Sequence, residues 1–366
     1  MQSLLQKFRR ITYSTAYLPE VDGLRFLALA MVVLLMHIPH YMDVKFYNGQ
    51  LLASGYWRNV LLGGGMGVAL FFMISGFILS LPFAQQYRKQ GKKVGLRRYY
   101  LRRLTRLEPP YLILLVLLFL VQVLVLKTYT FGFLWPRLLA SATYTHMLLY
   151  HSFSPILPVA WTLEVEVQFY LLAPLFCLLF RIRSALLRRT ILLTVILVSA
   201  LYWFNVWQMG TVFMYLHFFL SGLLLADLQV QGIRLIPGFK AGILAGGLAL
   251  ASIIFIDSFT SLTGYMIKLA GMFLLFHVVL THPFWKKVFS IPVISIIGGM
   301  CYSVYLLHFA VLSFVGGLAG RYVSHWNPLV FSAVLVLFAS CILFLSALYF
   351  LGVEKPFMKS RFGKQT

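Results

Sequence analysis

Ten runs of mostly apolar residues recur along the chain, each close to the ~20 residues that a helix needs to cross the hydrocarbon core of a bilayer. They fall at roughly 22–41, 60–82, 109–127, 157–180, 189–207, 211–229, 239–257, 261–280, 291–316 and 328–351. No polar interval between them is long enough to fold separately. The expectation is an all-α polytopic membrane protein, with a single membrane domain over 1–366 and no appended soluble domain. Composition closes the other routes. Globular domains carry about 45–50% apolar and about 25% charged residues, whereas this chain has 61% hydrophobic and 11% charged residues. A soluble enzyme of that make-up has too little polar surface to face water. Cys177, Cys301 and Cys341 sit inside apolar runs, which leaves neither a disulfide framework nor CxxC zinc spacing. The first run lacks a small-residue cleavage site and reads as a retained helix.

The 31 Lys+Arg against 9 Asp+Glu would raise the question of nucleic acid in a soluble chain. Here the cations report topology, because Lys and Arg accumulate on the cytoplasmic side of membrane proteins. Between the apolar runs they alternate, 24 on one face against 5 on the other, so both termini are expected in the cytoplasm. No nucleic-acid partner is expected.

That orientation gives each polar residue within the runs a depth, at about 1.5 Å of rise per residue. Arg25, Ser75, Arg103 and Arg106 fall near the cytoplasmic face, and His37, Glu164, Glu166 and His308 in the outer half. Ionisable groups at membrane depth are costly and usually line a cavity or a path, so a polar passage is expected. Each residue also has a plainer reading. Arg25 snorkels to headgroups or reaches into the passage. His37 is an interhelical hydrogen-bonding histidine or a general base. Ser75 is helix-packing glue or a functional hydroxyl. Glu164 and Glu166 lie about 200° apart on a helix, so they face different surroundings; Glu166 shares its stripe with Thr162, Phe169 and Tyr170 and is the preferred carboxylate. Gly63, Gly64, Gly65 and Gly67 favour close helix approach or a broken turn. Arg103 and Arg106, three apart, share a helical face and suit a polyphosphate. The aromatic segment 128–156, with Trp135, Tyr144, His146, Tyr150 and His151, reads as an interfacial belt or as a platform for a sugar-like acceptor. Lys268 and His217 receive no role.

Seven segments in order carry a resemblance: Val21-Asp22-Gly23-Leu24-Arg25-Phe26-Leu27-Ala28, His37, Phe71-Phe72-Met73-Ile74-Ser75-Gly76-Phe77, Arg102-Arg103-Leu104-Thr105-Arg106-Leu107, Trp161-Thr162-Leu163-Glu164-Val165-Glu166-Val167-Gln168-Phe169-Tyr170, Tyr302-Ser303-Val304-Tyr305-Leu306-Leu307-His308 and Glu354-Lys355-Pro356. Together they resemble acyltransferase family 3 over nearly the whole chain. The resemblance implies a bacterial inner-membrane enzyme that moves an acyl group, commonly acetyl from acetyl-CoA as co-substrate, onto a hydroxyl of an envelope or exported carbohydrate, with no tightly bound cofactor and no metal. By residue it implies catalytic roles for His37, Arg25, Glu166 and Tyr170, and donor binding at Arg103 and Arg106, with Ser75 beside them. Tyr302, Ser303, His308 and Glu164 form a candidate acceptor or oxyanion site.

In the expected reaction an acceptor hydroxyl loses its proton to His37, oriented by Glu166 or Tyr170, and attacks the thioester; Ser75, Tyr302 or Arg25 receives the oxyanion. One departure matters. The family pattern has ten residues between Arg and His, about 20° apart on a helix, whereas eleven separate Arg25 from His37, about 120° apart. A π-bulge between Phe26 and Met36 would restore the shared face. The rival reading is a transporter of a glycolipid or small metabolite that uses the same buried charges without chemistry.

Overall fold

The computed structural model describes residues 7–10, 17–46, 49, 56–89, 91–206, 210–258, 260–319 and 328–358. Of the cations counted for orientation, Arg321, Lys359, Arg361 and Lys364 lie outside the described residues. In chain order the helices are α1 (Pro19–Phe46), α2 (Arg58–Arg88), α3 (Leu96–Val125), α4 (Phe131–Ala142), α5 (Pro158–Arg181), α6 (Ala185–Asn205), α7 (Val212–Gln231), α8 (Phe239–Phe255), α9 (Leu262–Thr281), α10 (Pro283–Phe289), α11 (Pro292–Gly299), α12 (Cys301–Ala319) and α13 (Leu329–Met358). Among the described residues, 9 are long and apolar enough to cross a membrane, and α8 follows at 17 residues. The chain is an all-helical, polytopic membrane protein.

Each expected span has its helix, with two differences that bear on function. The third begins at Leu96 rather than near 109, because the cationic stretch Leu96–Leu107 contains no Gly or Pro and continues the helix on its N-terminal side. Arg103 and Arg106 therefore lie within this helix, ahead of its apolar stretch. The ninth is broken at Met300 into α11 and α12. Gly298 there lies against α1 so closely that a Cβ would overlap the Asp22 carbonyl, and with Gly299 it supplies the weak helix former at which the chain turns.

The chain packs as two compact units, one of Met1–Leu70 with Phe239–Pro356 and the other of Phe71–Gly238 with Phe357–Thr366. The first is organised around α1. The start of α2 lies against it through bare glycine surface, a Cβ at Gly64 or Gly67 meeting the carbonyl of Met31 or Ala28. Of the two readings of the glycine cluster, close approach is the one realised: Gly63–Gly65 form a 3-10 turn inside a continuous helix. Helices α8 and α9 form a hairpin, and Trp285 of α10 donates to the Gly242 carbonyl of α8 at 3.0 Å.

In the second unit α2 and α7 meet through Gly76 and Gly222, each facing the other helix's backbone with no room for a Cβ. Small residues let membrane helices gain dispersion contacts where lipid supplies little hydrophobic drive. A buried ion network ties α6 to α7: Arg188 and Arg189 flank Asp227 at 2.7 and 2.9 Å.

Candidate active site

Helix α1 changes gauge where function was expected. It is α-helical over Pro19–Ala30, π-helical over Met31–His37 and α-helical again over Ile38–Phe46. A π segment takes in one extra residue without lengthening the turn count, which brings Arg25 and His37 from about 120° to about 20° apart around the axis.

His37 Nδ1 lies 2.7 Å from His308 Nε2 of α12, with the rings nearly parallel and their centroids 4.9 Å apart. His308 is fully buried, and its Nδ1 is 2.6 Å from the Tyr305 carbonyl. The tautomers follow from that carbonyl. It can only accept, so His308 Nδ1 carries the proton and the neutral ring offers a lone pair at Nε2. His37 must then donate from Nδ1, which leaves the lone pair at His37 Nε2. Carbonyl, first imidazole and second imidazole thus hold His37 in the form a general base requires.

The neighbours expected for the other residues of this unit differ in kind. Arg25 Nη1 donates to Asp22 at 2.5 Å, and Arg10 pairs with the same buried carboxylate at 3.0 Å. Ser303 donates to Glu354 at 2.5 Å with both residues buried, so its hydroxyl proton is committed within the fold, while Tyr302 is half-buried on the same helix.

In the second unit Glu166 of α5 gathers hydroxyls. Its Oε1 accepts from Ser75 of α2 at 2.5 Å and from Tyr170 one turn along α5. Arg103 of α3 lies over the Tyr170 ring, 5.8 Å from its centroid, and Arg106 is half-buried one turn on. Ser75, Glu166, Tyr170 and Arg103 therefore form one cluster. Glu164 does not join it: its Oε2 accepts from the Met147 backbone N–H at 2.8 Å, as the opposite helix face requires.

Segment 128–156 holds both exposed and buried aromatic residues. Phe133 and Trp135 of α4 are exposed, as in a belt, whereas Tyr144 is buried, stacked on Tyr111 and hydrogen-bonded to Glu108 of α3. Burial and the Glu108 carboxylate push the Tyr144 phenol up, so it stays a donor. Glu108, Asp22 and Glu354 are among the acidic groups to which the sequence motifs assign no partner. Asp22 and Arg25 at i,i+3 was the one local signal; the others are paired only by tertiary contact.

A family model described as an acyltransferase domain matches residues 18–348. The chain belongs to this acyltransferase family. Among similar proteins are the peptidoglycan O-acetyltransferase OatA of Listeria monocytogenes, 25% identical over 97% of this chain and 58% of its own length, and a putative O-acetyltransferase of Staphylococcus aureus, 26% identical over 82% of this chain and 51% of its own length. The O-acetyltransferase OatA of Staphylococcus aureus is 32% identical over 46% of this chain and 26% of its own length. The chain spans about half the length of the first two relatives. No solved structure matches it.

Proposed function

We propose that this acyltransferase is a multi-pass O-acetyltransferase of the bacterial inner membrane, moving an acetyl group from cytoplasmic acetyl-CoA to a hydroxyl of a cell-surface or exported carbohydrate. The observation that carries the reading is the relay from the Tyr305 carbonyl through His308 to His37, which leaves one imidazole lone pair for a substrate proton. The names of the relatives support acetyl as the group and a carbohydrate hydroxyl as the acceptor.

In the reaction His37 Nε2 takes the acceptor's hydroxyl proton as the oxygen bonds to the thioester carbon. The C–S bond breaks, and the proton passes from the imidazolium to the leaving CoA thiolate. No charge or proton is left on the enzyme. His308 is a positioning residue: its Nε2 lone pair accepts the hydrogen bond from His37 Nδ1–H and stabilises the imidazolium. Arg103 and Arg106 bind the donor's phosphates as paired cations on one helix face, and the hydroxyls of Ser75 and Tyr170 hold Glu166 beside them. Arg25, which shares the Asp22 carboxylate with Arg10, ties the start of α1 ahead of the π segment.

The test supplies membranes with labelled acetyl-CoA and follows label into envelope carbohydrate together with CoA release, with His37→Ala alongside. Transfer at the parental rate in that variant removes His37 as base. Substrate movement without CoA release identifies a transporter instead.

A further inference from the structure

Lys268 of α9 belongs to none of these groups. It lies about two turns into the helix, fully buried, and its Nζ has no hydrogen-bond partner among the described residues. Buried polar groups nearly always have one, and an ammonium inside a membrane span is among the most costly to leave without. The acidic group that acts on it electrostatically is Asp257, in the connection from α8 to α9. That carboxylate is engaged elsewhere: its Oδ2 accepts from Asn59 at 3.1 Å and from Thr260 at 2.6 Å. The residue after it, Ser258, is a second buried group, its Oγ without a partner among the described residues. What faces the ammonium is missing side chain. A Cβ on Gly63, the first residue of the 3-10 turn in α2, would stand 3.0 Å from Nζ. The same connection-end of the α8–α9 hairpin thus holds a bare cation, a bare hydroxyl and a glycine ledge.

We propose that Lys268, where it meets the bare backbone of Gly63, is the binding site for a compact oxyanion, a carboxylate or phosphate group brought by a ligand. A lysine ammonium is a point charge with three donors and no acceptor, so its complement is anionic oxygen. The group comes from an acidic soluble glycan or from a lipid headgroup. The site is a matter of equilibrium binding and stands or falls independently of acetyl transfer.

The experiment uses the full chain in phosphatidylcholine nanodiscs, titrated with sodium phosphate or sodium glucuronate against chloride of equal ionic strength, with thermal unfolding as the readout. Wild type is expected to gain about 2–4 °C at tenfold excess over Kd. Lys268→Met, which keeps the length and loses the charge, shows no gain. Gly63→Ala, which retains the lysine, weakens the apparent affinity severalfold and covers the case in which Lys268→Met does not fold. In nanodiscs doped with phosphatidylglycerol, loss of the phosphate effect together with a higher starting Tm assigns the site to a headgroup. Persistence of the effect assigns it to a soluble acid. No gain over chloride in wild type, or an equal gain in Lys268→Met or Gly63→Ala, overturns the site.

Discussion

In the proposed reaction the hydrogen-bonded His37 and His308 divide one task between two imidazoles, and their variants should fail differently. General-base catalysis contributes about 10²–10⁴-fold, so His37→Ala is expected to lower kcat for acetyl transfer by that factor at saturating donor. His308→Ala leaves the base in place but frees its ring and tautomer. A smaller fall in kcat with KM nearly unchanged is expected, and a KM effect alone would show that His308 binds substrate instead. The proposed function gives Arg103 and Arg106 the donor's phosphates, so replacing either by Ala is expected to raise KM for acetyl-CoA about tenfold, equivalent to one charge-assisted contact of about 1.4 kcal/mol. Unchanged KM across both variants would place the phosphates elsewhere. Asp227 offers the contrast of a residue with a purely structural task. Asp227→Ala leaves the buried Arg188 guanidinium without its carboxylate, a loss of about 3–5 kcal/mol, seen as reduced Tm and yield in detergent.

At the scale of the element, the π segment of α1 is a phase correction. Deleting one residue from Met31–His37 should return the helix to regular α geometry and keep Arg25 and His37 within about 20° of each other. Adding one residue there turns His37 by about 100° away from His308. Label transfer is therefore expected to survive the deletion far better than the insertion; equal loss in both would show that the π turn serves packing against α2 and not the phase of His37. The long α3 works by the same logic of position: because the helix starts at Leu96, its cations ride on a rigid face at fixed spacing.

Across the whole molecule the distribution of cations predicts the orientation. Reporter fusions at each terminus should both read as cytoplasmic, and cysteines introduced beside Lys127 and Arg137 should react with an impermeant label from outside. The opposite labelling pattern would reverse the depth assigned to every polar residue in the spans. Large apolar side chains left on the surface, such as Leu186 at 80% and Val125 at 72% exposed, fit lipid as the surrounding solvent.

The amino-acid sequence by itself determined the all-helical membrane class, the number of apolar runs, and the separation of Glu164 from Glu166. Each follows from hydropathy or helical periodicity, which are properties of neighbouring residues. The need for a bulge between Arg25 and His37 was legible in the same way, as a mismatch of one residue against a fixed period. Partnership was not. His308 as the acceptor for His37, Ser303 with Glu354, and Lys268 against Gly63 join residues far apart in the chain. A local pattern carries no record of which distant group meets a side chain, so only the packing of the helices decided which polar atoms are satisfied and which one nitrogen keeps its lone pair.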